Sequence, residues 1–324
     1  MIVDEKKGTI SVMIPTYNEE ENVVQIYEAV RDTIKKDCME YDYEIVIIDN
    51  KSTDNTRTLI RQICAEDKKV KAIFNCKNFG QFNSPYYGII NTSGDCTITI
   101  CADFQDPVEM IPVFVKEWEK GNKIVIGKKT ASKENPIVYI LRGIYYKLLK
   151  KMSNVNLIEQ FTGFGLYDRS FVNTLRDLKD PTPFIRGIVA ELGPERVEVE
   201  YTQPKRRAGK THNNFFSLFD AAMLGFTSYT KAGMRLAFVV GLLFGMVGLL
   251  TLVFAILGYC GIGTVDKTTL LLFATILIIG AGQFMFLGLL GEYTMGINLR
   301  EMNRPLVIEE ERLNFDNSDS SQYF

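Results

Sequence analysis

The sequence lacks most of the groups on which common enzyme and binding sites are built. It has one histidine, His212, in 324 residues, so neither a histidine-based catalytic triad nor a histidine-rich zinc site is expected. Its six cysteines form no Cys-x-x-Cys pair, which favours ordinary reduced thiols over a metal cluster. The formal net charge of −2 gives no support for nucleic-acid binding.

Two further signals are missing near the N-terminus. Residues 1–7 contain no apolar core, so no secretory signal peptide is predicted. The glycine fingerprint of dinucleotide-binding folds does not follow the first predicted strand, which disfavours a dinucleotide cofactor.

Strand and helix patterns alternate over the first 120 residues. Buried strands are predicted at 9–15, 43–49, 70–74 and around 98–102, and helices are predicted from near Asn18, after the loop 50–56, around residues 86–90 and over 108–120. Each unit takes about 25 to 30 residues, which is typical of an α/β fold with a parallel sheet.

Polar residues follow the carboxyl ends of three of these strands. They are Tyr17 and Glu19, then Asp49, then Asp103 and Gln105. A single acid after a strand is commonly a helix cap. Because the carboxyl ends of parallel strands share one crevice, three strands that end in acids favour a common site.

The segment 98–107 fits two interpretations on its own. Asp103 and Gln105 offer the hard oxygen ligands that Mg²⁺ or Mn²⁺ prefers. Alternatively, Asp106 is the N-cap of the next helix and Pro107 its first residue. Both are retained: Asp106 and Pro107 are predicted to start the helix, and Asp103 and Gln105 to face the crevice.

Two basic segments follow along the chain. The predicted strand 123–129 ends in Lys129 and leads into a basic loop, which is either solvated or a flap whose lysine meets a diphosphate. Residues 205–210 hold four cations and Gly209, a composition that suits an anionic group approached by backbone. A surface patch that steers the domain to anionic lipid is the alternative, and both can hold together.

The C-terminal third predicts a membrane region. Residues 213–234 are rich in Phe, Leu and Met with few charges, which indicates amphipathic helices in the membrane interface. Residues 236–257 and 270–290 are uncharged runs of 22 and 21 residues, each long enough to span a bilayer. Gly241, Gly245 and Gly248 permit close helix contacts, compatible with a homo-oligomer.

Flanking charges orient the predicted spans. Lys231 and Arg235 precede the first span, and Arg300, Arg304 and Arg312 follow the second. The positive-inside rule therefore predicts an integral protein of the plasma membrane with the catalytic domain and both termini in the cytoplasm. The acidic, Ser- and Asn-rich tail after Pro305 is predicted to be disordered.

Three motifs carry a resemblance to a known family. Residues 14–22 (IPTYNEEEN), 47–54 (IIDNKSTD) and 102–107 (ADFQDP) resemble glycosyltransferase family two, most of all its polyprenyl-phosphate glycosyltransferases, the group of dolichol-phosphate mannose synthase and the bactoprenol glucosyltransferases. Residues 206–211 resemble that family's Arg-x-x-Gly-Lys-Ser loop, with Thr211 in place of the serine. The resemblance implies a GT-A fold and transfer of one sugar from a nucleotide sugar to a lipid phosphate.

The resemblance also implies roles for individual residues. A divalent metal, Mg²⁺ or Mn²⁺, would be held by Asp103 and Gln105, and Arg206 and Lys210 would grip the donor diphosphate and the acceptor phosphate. Asp103, Arg206 and Lys210 are thus the predicted catalytic residues. The predicted nucleotide-sugar site consists of Pro15, Thr16, Tyr17, Glu19, Asp49, Ala102, Asp103 and Lys129.

Two positions depart from the family pattern. Cys101 stands where relatives usually have an acid, and Gly163, in the strand 161–169, stands where relatives often have one. These departures motivate an alternative, a catalytically impaired membrane scaffold or accessory subunit of a glycan pathway. A processive polysaccharide synthase would carry more membrane helices and a Gln-x-x-Arg-Trp motif, which are missing.

The implied reaction needs little from the missing histidines. A lipid phosphate has a second pKa near ~6 and is largely ionised at neutral pH, so it requires no strong general base. In-line displacement with inversion at the anomeric carbon is expected, with UDP favoured over GDP as the carrier. The predicted organisation is a GT-A domain over 1–212, juxtamembrane helices over 213–234, two spans over 235–292 and a tail over 293–324.

Overall fold

A computed structural model describes two compact units of the chain. The described residues are 6–131, 158, 160–193, 195–204, 206–208, 223–224, 226, 240, 243–244, 246–247, 265–302 and 304–315. The first unit takes the described residues up to 208 together with 304–315, and the second takes those from 223 to 302.

The first unit is built on one eight-stranded sheet. Its strands are β1 Thr9–Thr16, β2 Asp42–Asp49, β3 Val70–Asn75, β4 Cys96–Thr99, β5 Ile124–Ala131, β6 Phe161–Asp168, β7 Val197–Thr202 and β8 Glu309–Leu313. Their order in the sheet is β7-β5-β6-β4-β1-β2-β3-β8.

The sheet is mixed and not wholly parallel. Strands β1 to β4 are parallel to one another, as the strand–helix alternation predicts. Strand β6 runs antiparallel to both β4 and β5, and β8 runs antiparallel to β3. The carboxyl ends of β1, β2, β4, β5 and β7 therefore lie along one edge of the sheet, called the carboxyl edge below.

Six helices accompany this sheet in the described part of the first unit. They are α1 Val23–Asp37, α2 Thr56–Glu66, α3 Gly80–Ile90, α4 Met110–Glu119, α5 Arg169–Leu178 and α6 Ile185–Leu192. The amphipathic helix α1 buries Val23, Ile26 and Val30 completely. Asp168 caps α5 by accepting a hydrogen bond from the Ser170 amide.

The predicted start of α1 near Asn18 is wrong. Asn18 has a left-handed backbone (φ 54°), and the helix begins only at Val23. The Asn18 amide donates to Ser52 Oγ at 2.9 Å, and its side-chain oxygen accepts from the Thr53 amide at 2.8 Å. Residues 17–22 thus form a loop that is tied to the loop after β2, which holds the two strand ends together.

The predicted disorder of the tail after Pro305 is wrong for residues 309–313. They form β8, which covers the outer edge of β3. Within this strand Glu309 is 7% exposed and pairs with Arg312 at 2.5 Å, and Glu309 also accepts a hydrogen bond from the Tyr87 hydroxyl at 2.8 Å. The charged residues of β8 are accommodated at this edge because Arg57 and Arg61 form ion pairs with its glutamates and Tyr87 donates a hydrogen bond to Glu309.

The second unit contains α7, Val265–Glu301, a helix of 37 residues. At about 1.5 Å per residue it is roughly 55 Å long. Gly282 lies against Phe244, because a Cβ on this glycine would be 2.5 Å from the ring. Several large apolar side chains of α7 are exposed: Ile276, Ile278, Met285, Leu287, Leu290, Met295 and Ile297.

Within the described ranges, we find no helix that combines the length and apolar character needed to cross a membrane. The predicted second span lies in α7. The predicted first span and the juxtamembrane helices lie outside the described residues, apart from a few positions between 223 and 247. The two spans therefore stay a prediction, as do the sequence-based domain boundaries.

Candidate active site

Predicted site residues from two strand ends and from the basic loop meet at the carboxyl edge. Glu19 lies in the loop after β1, Asp103 in the loop after β4, and Arg206 in the segment after β7. Both carboxylates are buried, at 8% and 6% exposure. Since these residues are far apart in sequence, the sheet topology alone brings them together.

Arg206 connects the two carboxylates. Its Nε donates to Asp103 Oδ2 at 3.1 Å, and one terminal nitrogen lies 3.0 Å from the same oxygen. That terminal nitrogen lies 3.6 Å from Glu19 Oε1. A planar guanidinium is suited to such a shared position because it offers several donors in a fixed geometry. Two buried acids therefore share one arginine.

Asn22 is a member of this cluster that the sequence analysis did not identify. The side chain is 1% exposed, and its amide nitrogen donates to Glu19 Oε2 at 2.7 Å and to the Ala208 carbonyl at 3.4 Å. Its Oδ1 is buried without a hydrogen-bond partner among the described atoms. Asn22 thus connects the β1 loop to the basic loop. Its place in the motif 14–22 was the available signal.

The loop around Asp103 has a constrained backbone. Phe104 has a φ of 60°, a conformation that a non-glycine residue rarely adopts. The Gln105 amide donates to Asp103 Oδ1 at 3.1 Å, and the Arg207 amide donates to the Asp103 carbonyl at 3.3 Å. The Arg207 guanidinium lies 5.1 Å from the centre of the Phe104 ring. The basic loop therefore packs on the Asp103 loop through backbone and side chains.

Asp49 ends β2 and pairs in register with Thr16 of β1. It is fully buried, and its Oδ2 accepts from the Ser52 amide at 3.1 Å. Arg57 Nε lies 3.2 Å from the same oxygen. Burial raises the pKa of Asp49, and its contacts with Ser52 and Arg57 act in the opposite direction. Asp49 is thus a carboxylate held in an apolar setting beside the site.

The predicted helix start at Asp106 and Pro107 is wrong, because α4 begins at Met110 with Glu109 as its N-cap. Asp106 is instead buried in the crevice. Its Oδ2 accepts from the Cys101 amide at 3.1 Å, and its Oδ1 accepts from the Tyr201 hydroxyl at 3.3 Å. Burial raises the pKa of Asp106 to about 6. The Asp106 carboxylate thus joins the loop after β4 to β7, and it does not cap α4.

The two departures from the family pattern both border a cavity of about 170 Å³. Part of Cys101 is exposed to solvent there. Desolvation of the thiol, together with the nearby carboxylates of Asp106 and Asp103, raises its pKa. Gly163 has a φ of 106°, which a residue with a side chain adopts only with strain. The Thr99 and Tyr167 hydroxyls both donate to its carbonyl. This backbone favours glycine.

The remaining predicted residues occupy different positions along this edge. Thr16 is buried, and its hydroxyl donates to the Ile48 carbonyl at 3.2 Å. Ala102 is buried, Pro15 lines the 170 Å³ cavity, and Tyr17 is half-buried. Lys129 is half-buried on β5, opposite Tyr201 in the register. Lys210 lies outside the described residues.

The donor set around Asp103 fits one kind of metal site. Within the described residues, no three Asp, Glu, His or Cys side chains are grouped to hold a metal ion. A site made of protein ligands alone does not fit this arrangement. Mg²⁺ commonly uses one or two protein oxygens plus substrate phosphates and water. Asp103 and Gln105 fit that type of site.

A larger cavity of about 580 Å³ lies at the opposite end of the sheet. It is bordered by the beginnings of β5 and β7 and by α5, and it includes Ile124, Ser170 and Val197. None of the predicted site residues lies there. We therefore assign the candidate site to the carboxyl edge because of its buried acids and basic loop, although the cavity there is smaller.

Acids beside a basic loop at the carboxyl edge of a mixed α/β sheet indicate a protein that binds a phosphate-bearing ligand. Residues 11–176, more than half of the chain, match the family described as Glycosyl transferase family 2. The chain belongs to this family and is a glycosyltransferase with a Rossmann-like GT-A fold. The resemblance seen in the motifs is confirmed.

Relatives match over nearly their whole length. The chain is 30% identical to a SfII prophage-derived bactoprenol glucosyl transferase of Shigella flexneri, over 92% of this chain and 96% of the relative. It is 29% identical to the putative glycosyltransferase CsbB of Bacillus subtilis, over 97% and 94%. The crystal structure of glucosyl-3-phosphoglycerate synthase from Mycobacterium tuberculosis matches at 18% identity, covering 68% of this chain and 76% of that one, with a TM-score of 0.45. The latter likeness is too distant to bear on function.

Proposed function

We propose that this glycosyltransferase moves a single hexose from a nucleotide sugar to polyprenyl phosphate, with inversion at the anomeric carbon. The carrier is UDP in preference to GDP, and the acceptor is undecaprenyl phosphate, for modification of a cell-envelope glycan or lipid. The observation that carries the proposal is the Arg206 guanidinium, shared by Glu19 and Asp103 at the carboxyl edge. The names of relatives that are bactoprenol glucosyl transferases support the acceptor.

The shared arginine suits a diphosphate leaving group. Arg206 is 27% exposed, so one side of it reaches the crevice while the other is held by buried acids. A cation fixed in place before the ligand arrives stabilises developing negative charge without reorganisation. Arg206 would therefore bind and orient the donor diphosphate, together with the lysine predicted at position 210.

A divalent cation would be held by Asp103 and Gln105. Bound there as Mg²⁺ or Mn²⁺, it would neutralise charge on the diphosphate of the donor. Arg206 lies on Asp103 Oδ2, so the arginine balances the charge of this acid in the ligand-free chain.

The nucleoside side of the donor is assigned to the ends of β1 and β2. Asp49, with Thr16 beside it, would receive the base, and Tyr17 and Pro15 would line its approach. A carboxylate in an apolar pocket is a strong acceptor for an N–H group of a base. Lys129, on β5, would meet the diphosphate from the other side.

Association with a membrane is part of the proposal. The exposed apolar side chains of α7 support an apolar environment around that helix. Spans over 236–257 and 270–290, with the catalytic domain in the cytoplasm, would anchor the enzyme to the membrane that holds its lipid acceptor.

The experiment that tests this function is a screen of nucleotide sugars against undecaprenyl phosphate, with product mass as the readout. One glycosyl phospholipid that forms only with added Mg²⁺ or Mn²⁺ is expected. Asp103→Ala should abolish its formation, and Asp32→Ala, at an exposed acid on α1, should not. Full activity of Asp103→Ala would reject the assignment, and absence of nucleotide binding by the wild type would favour the scaffold alternative.

A further inference from the structure

The strand β8 brings an acid to the back of the nucleoside pocket. Glu310 lies on β8, 253 residues after Arg57 of α2, which it contacts. Its Oε2 accepts hydrogen bonds from both terminal nitrogens of Arg57, at 3.2 and 3.1 Å. Lys51 Nζ also donates to this oxygen, at 2.6 Å. The tail of the chain is thereby attached to the loop and helix that follow Asp49.

Arg57 lies between two acids. Its Nε is 3.2 Å from Asp49 Oδ2, and its terminal nitrogens face Glu310. The Nε–H makes no hydrogen bond among the described atoms, so its contact with Asp49 is one of charge. The guanidinium also stacks 5.0 Å from the centre of the Phe74 ring. Its side chain is 14% exposed, so part of it reaches solvent.

We propose that Glu310 is a positioning residue for nucleotide binding: it holds Arg57 against Asp49, and so makes donor affinity depend on the C-terminal strand. The inference rests on the proposed function, because it needs Asp49 to contact the nucleoside. It adds a residue of the C-terminal tail to the determinants of donor binding.

The charge of Arg57 would affect donor binding because it stabilises the ionised form of Asp49. Asp49 is fully buried, and a buried carboxylate is ionised only at a cost. Arg57 offsets that cost, provided that it stays beside the carboxylate. Without Glu310, the arginine would lose two hydrogen bonds and could turn toward solvent, and Asp49 would lose part of the charge that keeps it ionised and in place.

The same strand offers a matched control. Glu311, the next residue, pairs with Arg61 at 2.6 Å, and Arg61 stacks 4.7 Å from the same Phe74 ring. The two glutamates are comparably exposed, at 45% and 34%. Arg57 Nε lies 3.2 Å from Asp49 Oδ2, whereas Arg61 acts on Asp49 only through a longer-range charge interaction. Glu311→Gln therefore removes the same type of ion pair without removing a partner of the arginine that contacts Asp49.

The test is calorimetric titration of the full chain with UDP and with GDP, in the presence of MgCl₂. Glu310→Gln should weaken binding of the nucleotide that the wild type prefers by about threefold to tenfold, the range of a partly exposed charge-assisted contact. Glu311→Gln should change it less than twofold. Equal effects of the two variants, or no effect of Glu310→Gln, would overturn the proposal.

A second set of variants separates positioning from lost stability. Arg57→Gln should weaken binding as well, and adding Glu310→Gln to it should cost nothing further, since both act through one contact. With Glu310→Gln, the affinity loss should grow as the pH falls, because Asp49 is then protonated more readily. Additive losses, or an affinity loss independent of pH, would indicate general damage to the fold.

Failure of the proposed function gives a different result. If Asp49→Asn binds UDP and GDP as the wild type does, the assignment of Asp49 to the nucleoside is wrong. If Asp49→Asn loses affinity and Glu310→Gln does not, only the role of the C-terminal strand is wrong.

Discussion

Buried acids lie at both ends of the central strands, but different kinds of partner compensate their charges. At the amino end, Glu44 is 4% exposed and accepts from the Ser93 amide at 2.8 Å, the Ser93 hydroxyl at 2.6 Å and the Ser11 hydroxyl. Lys71 Nζ lies 2.6 Å away. At the carboxyl end, Asp103 is 6% exposed and shares Arg206 with Glu19.

The comparison shows that burial does not distinguish a structural acid from a functional one. Glu44 accepts hydrogen bonds from Ser11 of β1 and from Ser93 in the loop before β4 and pairs with Lys71 of β3, and these contacts hold its pKa below the ordinary value despite burial. Asp103 and Glu19 rely on an arginine from a loop at the rim of the crevice. Glu44 is thus enclosed by fixed donors, whereas the cation beside Asp103 and Glu19 comes from the predicted basic loop, as the proposed ligand site requires.

The largest expected effect comes from removing the cation at the carboxyl end. Arg206→Ala should lower transfer to undecaprenyl phosphate by roughly 10²- to 10³-fold, because charge on the departing diphosphate loses a fixed partner. The thermal midpoint of unfolding should fall as well, because Asp103 and Glu19 stay buried without this cation, so rates are compared at a temperature where the variant is folded. A variant that unfolds but keeps its specific activity would reverse the comparison. Initial rates and thermal unfolding of the same preparation measure both properties.

Removing the cation at the amino end should lower the stability of the protein and leave the activity of the folded molecules unchanged. Lys71→Met leaves Glu44 buried without its counter-charge, which should lower the free energy of unfolding by about 2 to 4 kcal/mol. The Michaelis constants of the folded fraction should stay at the wild-type values. Denaturant unfolding monitored by circular dichroism checks the first expectation. A changed donor affinity would show that the two ends are coupled.

The pH dependence of stability should have opposite signs for two buried acids. Glu44 has a lowered pKa, so its contribution relative to Glu44→Gln is complete above pH 4.5 and is lost as the pH falls through the folded-state pKa. Asp49 has a raised pKa, so its contribution relative to Asp49→Asn is largest below pH 3.8 and is lost as the pH rises through the folded-state pKa. Denaturant unfolding at several pH values measures both differences. Parallel slopes would contradict the assignment of the two environments.

The smallest effect concerns two neighbouring lysines of β5. Lys128 Nζ lies 2.9 Å from Glu198, and a partly exposed pair of this kind contributes little. The charge of Lys129 acts to lower the pKa of Asp106 and of Cys101, against the larger effect of burial. Lys129→Ala should raise the Michaelis constant for the donor by about threefold to tenfold, since a single rim charge is lost. Lys128→Ala should leave it within about twofold, and equal effects would place both lysines outside the site.

The central part of the fold could be predicted from sequence because its signals are local. Strands β1 to β3 end within a residue or two of their predicted limits, since runs of buried β-branched residues define them. The meeting of Glu19, Asp49 and Asp103 at one edge followed from the rule for parallel strands. Their functional roles remain proposals.

The errors fall where distant parts of the chain decide local structure. The segment after Asn18 looks like a helix start, but Ser52 and Thr53 bind it as a loop. Asp106 has the spacing of a cap, but Tyr201, 95 residues away, provides the competing contact. Arg57, Arg61 and Tyr87 contact the glutamates of the charged strand Glu309–Leu313 and stabilise it, and no local pattern reveals such partners.

The long separation between β3 and β8 along the sequence has a consequence for biosynthesis. The outer edge of β3 exposes unpaired backbone groups to solvent until residues 309–313 leave the ribosome. At about 5 to 20 residues per second, the roughly 230 residues between β3 and β8 take between about 10 and 50 seconds to synthesise. During that interval the exposed edge of β3 can pair with other chains. The nascent protein must therefore be protected from aggregation until β8 covers this edge.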